Sequence, residues 1–166
     1  MILDTTDPLL HRQLKMITEE QLSDYKNTLQ PIASLLVSAI YEKNTSGISA
    51  CQLGFDLAMF AMLTDDTVRI CINPQIVAAS FDMIMMQETC ISFPDLTLKV
   101  RRPKGVMVRY LSIEGQETTE RIEGETARIW LHEYDHCQGI VFTDRVGKLS
   151  LAMAKKRLSK RYKRKN

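Results

Sequence analysis

The motif H-E-x-x-H, formed by His132, Glu133 and His136, constrains this chain more than any other feature of its sequence. Residues four apart lie on one face of an α-helix, about one turn from each other, so both histidines can bind one metal ion. Glu133 follows the first histidine and is placed beside that ion as a proton-transfer group. Two histidines leave a metal site incomplete. The rest of the sequence must therefore supply a third ligand and a place for a substrate.

Hydrophobic periodicity predicts an α+β fold. Seven short stretches rich in apolar and β-branched residues precede the motif and are predicted strands: 57–63, 68–72, 75–79, 83–87, 96–100, 106–111 and 118–122. Asn73-Pro74 predicts a turn between the second and third, and Glu114-Gly115 predicts a hairpin between the last two. We expect mixed or antiparallel strands wrapped around one central helix that carries the metal site.

Two helical segments can be bounded from sequence. Thr18 to Gln21 has the spacing of a capping box and predicts an N-terminal helix that runs to about Lys43 and is kinked or restarted at Pro31. The motif lies in a second helix, residues 125–138, for which Gly139 is well placed as the C-terminal stop. Both helices are expected to pack an apolar face against the strands.

The C-terminal region predicts a short strand at 141–142 and then a helix capped by Ser150. Nine of the 22 Lys and Arg residues lie within 148–166, a segment without Asp or Glu. The rest of the chain therefore has 13 basic and 20 acidic residues and is net negative. Such a cluster is either a solvated chain end or a surface for a phosphate backbone.

Length and composition indicate one globular domain over residues 1–166. The chain is 45% hydrophobic and 25% charged, which is ordinary for a protein with a buried core. The N-terminus lacks a basic segment followed by an apolar run, and no stretch has the roughly 18 apolar residues of a membrane span. We therefore expect a cytoplasmic protein without a membrane partner, a monomer, whose four cysteines are reduced.

The third metal ligand has one strong candidate. Beyond His136 the sequence has no further histidine and a single acid, so the ligand must come from upstream or be of another type. Cys90 follows a predicted strand, and a thiolate is a good ligand. Cys137 points about 100° away from His136 around the helix. Cys51 and Cys71 lie in apolar surroundings where a buried thiol is the simpler interpretation.

Three segments together resemble the signature motifs of the peptide deformylase family: G-I-S-A-C-Q at 47–52, E-T-C-I-S at 88–92 and H-E-Y-D-H at 132–136. Their order and spacing match, and the resemblance extends from about Asp7 to Val146. It implies a hydrolase that removes the formyl group from the N-terminal formylmethionine of nascent polypeptides. The products would be formate and a free N-terminal methionine.

The resemblance also implies roles for individual residues. Cys90, His132 and His136 would be the metal ligands, with water in the fourth position. Glu133 would take the proton of that water and deliver it to the leaving amine. The side chain of Gln52 and the backbone N–H of Ile91 would stabilise the charge that develops on the formyl oxygen.

The substrate and the metal are less closely defined. Gly47 lies in the first motif, where small residues let a ligand backbone come close, and Met86 and Ile129 are expected walls of the methionine pocket. One thiolate and two imidazoles favour Zn²⁺. The resemblance implies instead a single Fe²⁺, with Zn²⁺, Ni²⁺ or Co²⁺ able to occupy the same site.

This chain departs from the family pattern at a few positions. Thr89 stands where glycine is usual before the ligand cysteine, Leu131 where glutamine is usual, and Thr45 and Ser46 where the first motif has another glycine. None removes a ligand or the base, so we expect activity with an altered substrate preference. Glu88 and Arg102 are expected to pair and brace the Cys90 loop, unless they form only a solvated surface pair.

Two other functions compete with this interpretation. A non-catalytic ribosome- or RNA-binding module could retain the scaffold with a purely structural metal, and the basic tail would then be its principal surface. A general metalloprotease is disfavoured because the third ligand is sulfur and lies upstream. Among deformylases, the resemblance implies that the C-terminal helix contacts ribosomal RNA.

Overall fold

A computed structural model describes residues 2–165; Met1 and Asn166, the ends of the expected domain, lie outside the described residues. Within this range seven strands form two antiparallel sheets. The larger has the order β1-β2-β3-β6-β7, with the bounds Gly47–Ser49, Met59–Thr64, Thr67–Ala79, Gly105–Leu111 and Glu117–Glu123. The smaller pairs β4, Met83–Cys90, with β5, Phe93–Pro103.

Over residues 2–165 five α-helices accompany the sheets: α1 Glu19–Ser23, α2 Tyr25–Thr28, α3 Gln30–Lys43, α4 Gly124–Cys137 and α5 Lys148–Lys165. Thr18 forms the predicted capping box with Gln21 at the start of α1. The predicted restart at Pro31 is confirmed, because proline occupies the first turn of α3, where its missing N–H costs nothing. Among the described residues no helix is both long and apolar enough to cross a membrane.

Strand β2 explains how the helices are arranged around the larger sheet. Phe60 and Met62 belong to the core that contains Trp130 of α4, whereas Met59 and Ala61 belong to the core that contains Leu36 and Ile40 of α3. Because successive side chains of a strand point to opposite faces, the sheet is covered by α3 on one face and α4 on the other.

Helix α4 is buried on nearly all sides, which is unusual for a helix with so many polar residues. The predicted stop is confirmed: α4 ends at Cys137, and Gly139 follows with φ of 72°. A β-carbon there would lie 2.4 Å from the backbone of Arg12, so only glycine fits. The α+β class, the antiparallel strands and the central helix are all confirmed.

The strand predictions were wrong in two places. The sequence predicts a turn at Asn73-Pro74, but β3 runs through it, with a bulge between Ile72 and Gln75 where the pairing with β6 shifts register. Asn73 adopts a left-handed φ of 50°, and proline is tolerated because a bulged residue needs no ladder hydrogen bond. The predicted strands 68–72 and 75–79 are thus one strand, and β1 at the sheet edge was not predicted. The number of strands before α4 is still seven because these two differences cancel.

The C-terminal region also differs from the prediction. Val141 is extended, yet Phe142–Arg145 forms a 3₁₀ helix rather than a strand, since a carboxylate oxygen of Asp144 accepts from the Val141 N–H at 3.0 Å. Helix α5 begins at Lys148, before the predicted cap at Ser150. It packs Ala154 against β5 residues Leu96, Leu98 and Val100.

Candidate metal centre

Cys90, at the end of β4, meets His132 and His136 of α4 in a buried cluster. One donor atom from each of the three lies within 4.8 Å of the other two, and Cys90 Sγ is 3.4 Å from Nε2 of His136. Burial holds the pKa of His136 well below its ordinary value, so this ring is neutral and keeps a lone pair for a metal. A thiolate and two imidazoles form a donor set that suits a divalent transition metal.

Glu88 fixes the orientation of His132. Its Oε2 lies 3.0 Å from Nδ1 of His132, which leaves Nε2 to face the ligand group. A carboxylate placed in this way selects the histidine tautomer and increases the basicity of the metal-binding nitrogen. Burial alone would lower the pKa of His132, but hydrogen bonds with Cys90 and Glu88 outweigh it and raise that pKa to about 10. The position therefore favours a positive charge, which a metal ion can supply in place of the proton.

Two buried arginines hold Glu88 in turn. Arg102 donates to it through Nε at 2.7 Å and Nη2 at 3.0 Å, and Arg128 donates through Nη1 at 2.7 Å. Burial opposes ionisation of Glu88, yet hydrogen bonds from His132 and both arginines hold its pKa well below the ordinary value. The predicted pairing of Glu88 with Arg102 is thus present and buried, not solvated.

Arg102 extends the network to α4. Its Nη1 donates to Asp135 at 2.6 Å, and Arg145 donates to the same carboxylate through Nε at 2.9 Å. The sequence interpretation missed Asp135, Arg128 and Arg145. A signal for Asp135 was available, since it lies three residues after His132 on the helix and within reach of the same neighbours.

Glu133 lies between the ligand group and β1. Its Oε2 is 2.9 Å from Ser49 Oγ, and its main-chain oxygen is 3.0 Å from the same hydroxyl. Burial raises the pKa of Glu133 to about 7, although the charge on His132 and the Ser49 hydroxyl oppose this change. A carboxylate with a pKa near neutrality can both accept and return a proton. Ser49 belongs to the G-I-S-A-C-Q motif at 47–52, but its contact with Glu133 was not predicted from the sequence.

The two predicted oxyanion donors, Gln52 and the Ile91 N–H, lie close to Cys90. Nε2 of Gln52 is 3.4 Å from Cys90 Sγ and 3.2 Å from Ser92 Oγ, while its Oε1 accepts from the Ser49 N–H at 2.9 Å. The Ile91 N–H follows Cys90 in the turn between β4 and β5, and residues 2–165 provide no acceptor for it. Both groups are therefore near the metal ligands.

A cavity of about 200 Å³ opens beside this cluster. The three residues predicted to bind substrate, Gly47, Met86 and Ile129, all line it together with His132 and Glu133. Thr89 also lines it and is exposed. A larger groove of about 530 Å³ lies between β5 and α5, but none of the three ligand residues contributes to it.

The fold and this site define a class of protein: a metal-dependent hydrolase in which an H-E-x-x-H helix brings two histidines and a buried carboxylate to one metal-binding group. An upstream cysteine supplies the third ligand, which distinguishes the site from one completed downstream. The chain belongs to the polypeptide deformylase family, whose model matches residues 1–152. It is therefore an enzyme of a family that acts on N-formyl peptides.

Individual relatives agree with this assignment. The peptide deformylase of Thermotoga neapolitana is 30% identical over 152 residues, which cover 92% of this chain and 90% of the relative. A Plasmodium falciparum peptide deformylase in complex with an inhibitor superimposes with a TM-score of 0.84 at 28% identity, covering 96% and 97% of the two chains.

A class I type b peptide deformylase of Acinetobacter baumannii, bound to Met-Ala-Ser, has a TM-score of 0.84 at 26% identity over 88% of this chain and 97% of its own. Nothing in these comparisons favours the non-catalytic alternative.

Proposed function

We propose that this chain hydrolyses the N-formyl group of formylmethionyl nascent polypeptides, using one divalent metal ion bound by Cys90, His132 and His136. The observation that carries the proposal is the position of Glu133, a carboxylate with a near-neutral pKa that lines the same cavity as the ligand His132. The Acinetobacter baumannii relative supports the substrate class, because Met-Ala-Ser is the kind of peptide that deformylation produces.

Each residue of the site has a distinct task in this reaction. A divalent ion held by Cys90, His132 and His136 would supply Lewis acidity at this position. Glu133 accepts the proton of the attacking water and passes it to the departing amine nitrogen. Gln52 Nε2 and the Ile91 N–H donate to the formyl oxygen as negative charge develops on it. Loss of one such donor typically costs about 3 to 4 kcal/mol of transition-state stabilisation.

The pocket residues align the substrate. Gly47 exposes backbone close to Glu133, which lets a peptide backbone approach the base. Met86 and Ile129 contact the first side chain of the peptide. Holding the formyl carbon at a fixed distance from the attacking water lowers the entropic part of the barrier.

The family resemblance leads us to propose Fe²⁺ as the working ion, although the donor set itself also suits Zn²⁺. The proposal is tested by preparing the protein anaerobically with Fe²⁺ and, separately, with Zn²⁺. Faster formate release per bound Fe²⁺ is expected. Equal rates per ion would contradict the choice of iron.

Formate release from formyl-Met-Ala-Ser tests the proposed reaction directly. The unmutated protein should release formate, and Glu133→Gln should reduce the rate by at least about 10²-fold because a proton-transfer group is lost. Metal content must be measured on the same samples, since equal loading attributes the loss to the carboxylate. Absence of formate from the fully loaded, unmutated protein would overturn the proposal.

We propose in addition that α5 contacts ribosomal RNA. The helix carries nine basic residues and no acidic one, and its apolar side is already packed on β5. Substituting Lys155, Lys156 and Lys160 with Gln should weaken ribosome co-sedimentation most at low salt. The matched control substitutes three exposed lysines outside α5: Lys26, Lys43 and Lys104. Equal weakening by both sets would contradict a specific role for α5.

The remaining features form one proposal about the working protein. We propose a single catalytic domain over residues 1–166, with 148–166 as its basic C-terminal segment, acting as a monomer in the cytoplasm. The continuous family match over 1–152 supports the domain assignment. Light scattering on the metal-loaded protein tests the monomer, and a mass near twice 19.0 kDa would contradict it.

A further inference from the structure

The hydroxyl of Ser49 is a buried polar group to which the proposed function gives no task. Ser49 is the last residue of β1 and is 0% exposed, and Glu133 on α4 is 3% exposed. The two residues lie 84 positions apart in the sequence, so the packing of β1 against α4 brings them together. A buried hydroxyl is normally hydrogen-bonded, and its partner shows which group it holds.

Two acceptors within reach of this hydroxyl belong to the same residue, Glu133. Ser49 Oγ lies 2.9 Å from Oε2 of the carboxylate and 3.0 Å from the main-chain oxygen of Glu133. A serine hydroxyl has one hydrogen, which it can donate to either oxygen. Hydrogen bonds to an ionised acceptor are roughly twice as strong as those between neutral groups, so a carboxylate acting as a base is the better acceptor. The hydroxyl therefore holds the end of the Glu133 side chain against its own backbone.

The second carboxylate oxygen of Glu133 has a different environment. Oε1 is next to Gly47, because a β-carbon added to this glycine would lie 2.6 Å from it. Over residues 2–165 the hydrogen bonds to the Glu133 carboxylate are made to Oε2, and none is made to Oε1. Gly47 and Glu133 both line the cavity, together with His132. Ser49 thus holds one oxygen, and the other is left to take a proton on the cavity side.

The orientation of a glutamate carboxylate is not fixed by its own side chain. Its last torsion, χ3, has a broad and roughly two-fold preference instead of three sharp rotamers. A hydrogen bond to Oε2 restricts this torsion and so fixes the direction in which Oε1 points. A proton-transfer group must lie within hydrogen-bond distance of the proton that it takes, so this direction affects the rate.

We infer that Ser49 is a positioning residue for the hydrolysis, whose hydroxyl fixes the carboxylate plane of Glu133 and directs Oε1 at the cavity. Ser49 itself does not line the cavity, so it acts through Glu133 and not on the substrate. The inference rests on the proposed function, because it assigns a role within that reaction.

Ser49→Ala tests the inference on the metal-loaded protein. The substitution leaves the backbone N–H of residue 49 to donate to Oε1 of Gln52, as it does at 2.9 Å in the unmutated protein. For formyl-Met-Ala-Ser we expect kcat to fall by roughly 10- to 100-fold, the usual effect of losing a hydrogen bond to a charged group. KM and bound metal should stay unchanged, because Ser49 contacts neither the peptide nor the ion. Full kcat in Ser49→Ala would overturn the inference.

Two further variants control for packing. Thr64→Val removes a buried hydroxyl of the same sheet that has no partner among the described residues, and it should leave kcat unchanged. Ser49→Cys fills the space of the serine but offers only a weak donor, so it should also lower kcat at unchanged KM without opening a void. Full kcat in a folded Ser49→Cys protein would equally overturn the inference.

A double-mutant cycle separates positioning from a purely structural tie between β1 and α4. A structural tie is lost whether or not the carboxylate is present, so Ser49→Ala would then lower the rate by the same factor in the Glu133→Gln background. A positioning role predicts a change of less than about twofold in that background, because residues that act as one unit are not additive. Single-turnover formate release measures both factors. Equal factors in the two backgrounds would overturn the inference.

The proposed function and the role of Ser49 fail in different ways. If the metal-loaded, unmutated protein releases no formate, the proposed function is overturned and the inference with it. If the unmutated protein releases formate and Ser49→Ala does so at the same kcat, the proposed function stands and the role of Ser49 is rejected.

Discussion

Gly47 lies so close to Glu133 that a β-carbon added to it would be 2.6 Å from Oε1 and 2.9 Å from Cγ of that side chain. Glu133 is buried and tied to Ser49, so it cannot move away freely. Gly47→Ala should therefore displace the carboxylate and reduce kcat for formyl-Met-Ala-Ser by about 10²-fold, the usual cost of misplacing a catalytic group by about 1 Å. Steady-state kinetics at saturating metal would measure this loss.

A second glycine supplies the control for this prediction. A β-carbon on Gly147 meets no other atom within 4 Å, and its φ is not in the left-handed region. Gly147→Ala should leave kcat unchanged. A Gly47→Ala protein that folds, binds metal and retains full kcat would show that Glu133 has more freedom than its contacts imply.

Glu88 is expected to control metal affinity through His132. Glu88→Gln keeps the shape of the side chain but removes the charge that orients the imidazole, so the dissociation constant for Zn²⁺ should rise about 10- to 100-fold. Competition with a chromogenic chelator measures this constant. Glu120→Gln is the matched control, because Glu120 pairs with Arg69 away from the metal site. An unchanged constant for Glu88→Gln would contradict the orienting role.

Arg102 should contribute more to stability than any surface ion pair of this protein. Its side chain is 4% exposed and bridges Glu88 and Asp135. Arg102→Leu leaves both carboxylates with fewer partners in a buried site, which should reduce the free energy of unfolding by about 3 to 5 kcal/mol.

Urea denaturation of the metal-free protein would measure that loss. The control is Arg12→Leu, which removes an ion pair with Asp56. Because the Arg12 side chain is 51% exposed, this substitution should reduce the free energy of unfolding by no more than about 1 kcal/mol. Similar losses for the two variants would show that the buried network contributes little.

Local patterns in the sequence were sufficient to predict most of the fold. The capping box at Thr18, the restart at Pro31 and the stop at Gly139 depend on backbone chemistry within a few residues, and all three are present. The prediction of a turn at Asn73-Pro74 was wrong because β3 pairs with β6 on both sides of this local turn signal. Whether a strand continues through such a signal depends on its pairing with a distant strand, which a local sequence pattern does not contain.

In the candidate site, too, features that depend on nearby residues were predicted and features that depend on distant residues were not. Ligand chemistry made Cys90 the strongest candidate and the family resemblance implied that it joins the two histidines, and the structure brings the three together. The arginines that hold Glu88 come from a strand and a helix 14 and 40 residues away, so no local spacing indicates them. Their burial also could not be read from sequence, where an arginine is normally taken as exposed.

Cys90 and Cys137 provide a direct test of the ligand assignment. Both thiols are buried, but only Cys90 lies in the cluster with His132 and His136. Cys90→Ala should lower bound metal from about one ion per chain to a small fraction of that, since a site of two imidazoles is much weaker. Cys137→Ala should retain metal. Elemental analysis after anaerobic loading and desalting distinguishes them, and metal loss in Cys137→Ala alone would reverse the assignment.

Thr89 departs from the glycine that the family resemblance leads one to expect beside the ligand cysteine, yet its backbone shows no strain. It lies within β4, opposite Thr97, with a negative φ that a β-branched residue adopts readily. Thr89→Gly should therefore lower stability by about 1 kcal/mol, through greater freedom of the unfolded chain, without changing bound metal. Thr97→Gly, the cross-strand control, should show a similar loss.

The effect of Thr89 on substrate follows from its exposed position at the cavity. Because its side chain faces solvent and not the ligand atoms, Thr89→Gly should change kcat/KM for formyl-Met-Ala-Ser by less than about threefold, the effect expected of a surface substitution within about 0.5 kcal/mol. Parallel assays of Thr89→Gly and Thr97→Gly at equal metal loading provide the comparison. A tenfold or greater rise in kcat/KM for Thr89→Gly, but not for Thr97→Gly, would instead mean that the Thr89 side chain narrows the cleft. The native substrate would then carry a smaller group next to the scissile bond.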